Sequence, residues 1–139
     1  MKQINKTLFA ILIAIVTVTF SFSQQTTYQL SSHILDVSKG MPASGVSIKL
    51  EKMNAQTKAW LLVDEKVTDK NGRIADFLPA SASNPGIYRL TYLVAPYFRK
   101  NKMESFYPFI EVVFELKGTS HYHVPITLSA YGYSTYRGN

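Results

Sequence analysis

Three histidines, an arginine after a tight turn and a tyrosine-rich ending are the side chains with chemistry to offer. The histidines are His33, His121 and His123, and the chain has no others. His121 and His123 stand two apart, so on an extended strand both rings leave the same face. Arg73 follows Asp69-Lys70-Asn71-Gly72, and the chain closes on Tyr136-Arg137-Gly138-Asn139. A neutral imidazole, with an ordinary pKa of about 6.5, can take a proton from water at neutral pH. A guanidinium can hold a carbonyl oxygen as it gains negative charge. These parts suit attack of water on an activated amide or lactam, although composition alone does not select that reaction.

Other chemistries fit less well. The chain has no cysteine, no Gly-x-Ser-x-Gly elbow and no phosphate-binding glycine loop. No histidine sits in a His-Glu-x-x-His helix. His33, His121 and His123 could make a three-histidine zinc site, but no obvious carboxylate second shell accompanies them, so we expect no metal and no cofactor. Asp69-Lys-Asn-Gly begins like a calcium loop but lacks the later ligands; turn chemistry accounts for it. Ser32, Ser129 and Ser134 read as strand and turn hydroxyls. The bland reading of the main candidates is a surface His33, a turn cation Arg73 and a packing Tyr136.

The elements that must position these groups are short strands. Tyr28 to Val37 reads as a first strand, with His33, Leu35 and Val37 on one face and Ser32, Ile34 and Asp36 on the other. Val46–Leu50, Ala59–Val67 and Arg73–Phe77 follow, the last entered through Asn71-Gly72, a strong turn signal. Ile87–Val94 is another strand, and Ala95–Met103 holds one short helix with Pro96 in its first turn. Phe109–Leu116, His121–Leu128 and about Gly132–Tyr136 complete the set. In His121–Leu128 the core face is Tyr122, Val124, Ile126 and Leu128; His121, His123, Pro125 and Thr127 face outward. Pro125 has no N–H, so its nitrogen should point away from a neighbouring strand or lie at an edge. Seven to eight strands with one small helix predict an all-β antiparallel sandwich of two sheets.

The first residues follow another logic. Lys2 and Lys6 precede an apolar run from Leu8 to about Phe22, with small Ser21 and Ser23 before Gln24. This predicts a signal peptide over 1–23 and one mature domain over 24–139. The protein would be exported, to a periplasm first and outside the cell as second choice, with no membrane attachment after cleavage. The formal charge of +6 includes those two lysines. The remaining basic residues are scattered, which argues against nucleic acid as a partner. An exported domain without disulfides must draw stability from packing or oligomerisation. Histidines on an outward sheet face are screened by water unless another subunit covers them.

The sequence resembles the 5-hydroxyisourate hydrolases of the transthyretin family over nearly all of 24–139. Four ordered stretches carry the likeness. LSSHILDVSKGMPASGVSIKLEK is similar to the family's LTTHVLDTAxGxPAxGVxVxL. TDKNGRI matches its T-x-x-D/N-G-R. PGIYRLTYLVAPYF with SFYPFIEVVFEL follows its strand–helix–strand portion. HVPITLSAYGYSTYRGN resembles its HVPLLLSPxxYSTYRGS ending. The resemblance implies a transthyretin-like sandwich of eight strands. It implies a homotetramer with pockets at the dimer–dimer interface and hydrolytic opening of the 5-hydroxyisourate ring. The family's site maps onto His33, Arg73 and His123 as the reacting groups. Tyr136, Arg137, Gly138 and Asn139 would bind substrate. His121 precedes the motif position and receives no role. Asn139 stands where the family has serine, and Thr127 replaces an apolar residue on the outward face, an interface change. The rival reading is an exported transthyretin-like binding or interaction protein without catalysis. Transthyretin itself lacks the histidines and the Tyr-Arg-Gly ending that this chain has.

Overall fold

The computed structural model describes residues 27–138. The signal-peptide expectation for 1–23 and residue Asn139 lie outside the described residues.

Alternation of apolar and polar residues builds two sheets. The first holds β1 (Tyr28–Asp36), β2 (Met41–Pro42), β5 (Arg73–Pro79), β8 (Tyr122–Ser129) and β9 (Gly132–Thr135). The second has the order β4 (Trp60–Val67), β3 (Ser47–Met53), β6 (Gly86–Tyr92), β7 (Ile110–Leu116). Along β1, Leu30, Ser32, Ile34 and Asp36 are buried while Ser31, His33 and Leu35 stay half-buried. The inward side chains of both sheets meet in one core, with Leu30, Ile34, Phe77, Ile126 and Leu128 facing Ile48, Leu50, Tyr88, Leu90 and Tyr92.

β1 is the spine of the site-bearing sheet. One edge pairs antiparallel with β5 and, further on, with β2. The other pairs with β8 in parallel, Ser31 opposite His123 and His33 opposite Pro125. The sandwich is therefore antiparallel except at this pair. A parallel pair needs a long crossover, and here the whole second sheet lies between the two strands. Inside the core, Ser32 and the Tyr92 hydroxyl, 2.9 Å apart, share the Val124 carbonyl. Ser32 is thus a packing hydroxyl.

The helix, α1 (Val94–Lys100), is shorter than the expected Ala95–Met103. Pro96 sits in its first turn, where an N–H has no intrahelical partner to lose. Lys102 adopts a positive φ of 56°, which ends the helical path. Val94 and Phe98 are buried, and the Tyr97 hydroxyl donates to Asp36 Oδ2 at 2.8 Å, tying α1 to the end of β1.

Candidate active site

Two devices aim the candidate residues at the outer face of the first sheet. The first is the turn before β5. Asp69 Oδ1 accepts the backbone N–H groups of Asn71 and Arg73, both at 2.8 Å. Gly72 has φ +69°, and a Cβ there would stand 2.6 Å from the Ile34 carbonyl oxygen. Only glycine lets the turn lie this close to β1, and the Ile34 N–H donates to the Gly72 carbonyl at 2.9 Å. The result sets Arg73 directly opposite His33.

The second device is the C-terminal tail. β9 pairs with β8 up to Thr135 opposite Ile126, and pairing resumes only at Gly138 opposite His123. The gap falls beside Pro125, which has no N–H to contribute. β8 is an interior strand rather than an edge, and the ladder breaks beside the proline instead. The Gly138 N–H donates to the His123 carbonyl at 2.9 Å. A Cβ on Gly138 would lie 2.6 Å from His123 Cδ2, so the tail rests on the imidazole only because this residue is glycine.

His33, Arg73 and His123 are thereby brought to one place. Burial pushes the His123 pKa below its ordinary value, and the charge of Arg73, then His33 and His121, pushes the same way. His33 is also lowered, by burial first and Arg73 second, against a hydrogen bond to the Asn71 backbone and the charge of Asp69. Both rings are held neutral at neutral pH, the state in which an imidazole accepts a proton. The arrangement sets two neutral, half-buried imidazoles beside the exposed cation of Arg73 on one sheet face.

The tail divides. Gly138 contacts His123, but Arg137 is not brought to the cluster. Its guanidinium lies 4.6 Å from the Tyr122 ring centroid, and Tyr122 projects from the core face of β8, opposite His123. Tyr136 is 59% exposed and lines, with Arg137, Tyr122 and Val124, a groove of about 440 Å³ along the edges of the two sheets. A cavity of about 480 Å³ bounded by Lys52, Met53, Lys58, Leu61 and Ile87 lies on the other sheet and contains no histidine or carboxylate. Among the described residues, no three His, Cys, Asp or Glu side chains are grouped to hold a metal ion.

Of the neighbours of His123, the sequence reading named His121 without giving it a role and passed over Ser31. Ser31 Oγ is 2.8 Å from His123 Nδ1 and 2.9 Å from His121 Nε2. His121 Nδ1 is in turn 2.9 Å from the Tyr28 carbonyl oxygen. The outward spacing of His121 and His123 was the available signal for His121. Nothing in the sequence pointed to Ser31.

Residues 30–138 match the family described as HIUase/Transthyretin. A probable 5-hydroxyisourate hydrolase of Caenorhabditis elegans is 43% identical over 94% of this chain and 95% of its own. Among solved structures, Klebsiella pneumoniae 5-hydroxyisourate hydrolase superposes with a TM-score of 0.67 and 34% identity, covering 79% of this chain and 98% of that one. Sea bream transthyretin in complex with thyroxine gives a TM-score of 0.74 and 29% identity, over 79% and 94%.

Proposed function

The chain belongs to the HIUase/transthyretin family, and from that premise we propose that the cluster of His33, Arg73 and His123 carries out its hydrolysis. The chain is an enzyme of the 5-hydroxyisourate hydrolase kind, acting in urate degradation. Water adds to a ring carbonyl of 5-hydroxyisourate, and His123 takes the proton it loses. His33 orients that water. Arg73 meets the oxyanion or holds the urate-like ring. The cyclic C–N bond then breaks, the ring nitrogen regains a proton, and 2-oxo-4-hydroxy-4-carboxy-5-ureidoimidazoline leaves. Gly138, lying against His123, forms the floor of the pocket, while Tyr136 stands in the neighbouring groove with Arg137. Arg137, stacked on Tyr122, anchors that tail instead of reaching this chain's own cluster.

The observation that carries this reading is the meeting of two imidazoles of lowered pKa with Arg73 under the Gly138 tail. The proposal includes a homotetramer, because the cluster of a single chain is open to solvent and a covering subunit would complete the pocket. It also includes export to the periplasm, with the 1–23 leader removed. The test is to generate 5-hydroxyisourate in situ with urate oxidase and follow its ultraviolet absorbance, using protein with a free C-terminus. Faster decay than in buffer supports the proposal; decay at the buffer rate refutes it.

A further inference from the structure

A base is useful only if its lone pair is on the nitrogen that faces the water. His123 has one ring nitrogen engaged, Nδ1, at 2.8 Å from Ser31 Oγ. Ser31 Oγ is also 2.9 Å from His121 Nε2, and His121 Nδ1 is 2.9 Å from the Tyr28 carbonyl oxygen. A carbonyl only accepts. His121 Nδ1 must therefore carry the hydrogen, because the reverse would set two lone pairs against each other. A neutral His121 then has a bare Nε2, and the single Ser31 hydroxyl hydrogen goes there. Ser31 Oγ is left with only lone pairs for His123, so His123 Nδ1 carries the proton and its Nε2 is bare.

We propose that Ser31 and His121 are positioning residues that lock His123 in its Nδ1–H tautomer, through a chain of hydrogen bonds ending on the Tyr28 carbonyl. The proposal rests on the reading of His123 as the base. In water histidine prefers the opposite, Nε2–H tautomer, so the network inverts an intrinsic bias. It also spares rearrangement during reaction. When Nε2 takes a proton, Nδ1–H is already on Ser31 and nothing in the chain must turn. The bare nitrogen adjoins Cδ2, the atom against which Gly138 packs, so it lies on the side of the tail. The pairing that makes this possible is the parallel register of Ser31 with His123.

The tautomer is read directly by long-range ¹H–¹⁵N NMR of the full chain carrying ¹⁵N-histidine. Wild type should show a protonated Nδ1 and a bare Nε2 at His123. Ser31→Ala and His121→Ala should return His123 toward Nε2–H. Ser31→Ala should lower kcat about 10-fold or more with KM little changed, since the substrate's own contacts remain. Ser31→Thr, which keeps the hydroxyl, should restore both spectrum and kcat. A wild-type His123 already in the Nε2–H form, or a Ser31→Ala protein with wild-type spectrum and kcat, overturns the proposal. Normal turnover by His123→Ala would instead overturn the reading of His123 as base. The two failures are thus read from different samples.

Discussion

Arg73 is the charge that both imidazoles meet, and it acts on each in the same direction. A histidine of lowered pKa stays neutral below pH 6.5, so kcat/KM should hold as pH falls toward that value and decline only at more acid pH. Arg73→Gln removes one of the causes and leaves burial in place. The acid limb of the pH–rate profile should then move upward, and kcat/KM should fall about 10²-fold or more through loss of the oxyanion partner. An acid limb that stays put or moves to lower pH would contradict the charge coupling. His33, Arg73 and His123 were legible in the sequence because each stands in a motif: a strand residue, the residue after a tight turn, the histidine before Val-Pro. Ser31 was not, and His121, although named among the histidines, received no role. Their roles depend on which residues of β1 and β8 lie side by side, and register between strands about 90 positions apart is not written in either strand alone.

At the scale of elements, the turn from Asp69 to Gly72 holds the site's cation. Its Asn-Gly signal was visible, but the reason for the glycine was not: the positive φ and the Ile34 carbonyl 2.6 Å from a would-be Cβ. Gly72→Ala should destabilise the fold by about 1–3 kcal/mol through backbone strain and contact. Urea unfolding would show the lost stability, and unchanged stability would mean that the turn has another low-energy path. The strand pattern of β1, β3 and β7 was read correctly from alternation. β2 was missed because two residues, Met41 and Pro42, show no period. The helix was placed correctly but ran on too far, since the positive φ of Lys102 has no signature in the residue type. For Pro125 the expectation was a nitrogen turned from a neighbouring strand or an edge position; β8 is interior, and the pairing to β9 lapses beside the proline instead.

For the whole molecule, the sandwich by itself decides nothing about function. One solved relative of similar shape is a transthyretin with thyroxine and another is a hydrolase, so function is decided by the site. The two-sheet architecture followed from short alternating strands, whereas the parallel closure of β1 on β8 needed the structure, because nothing local sets the partner of a strand. In the proposed tetramer, the outer face of that closure would be where assembly and activity meet. Light scattering coupled to size exclusion should show a tetramer, with turnover per chain falling as dilution dissociates it. A monomer that turns over at the full rate would contradict the covered pocket.

The most direct measurement compares wild type with His123→Ala in the 5-hydroxyisourate decay assay at neutral pH. If His123 is the base, kcat falls about 10²–10⁴-fold while the assembly state stays that of wild type. A variant that accelerates decay as well as wild type would show that His123 is not the base, and the mechanism built on the cluster would fall with it.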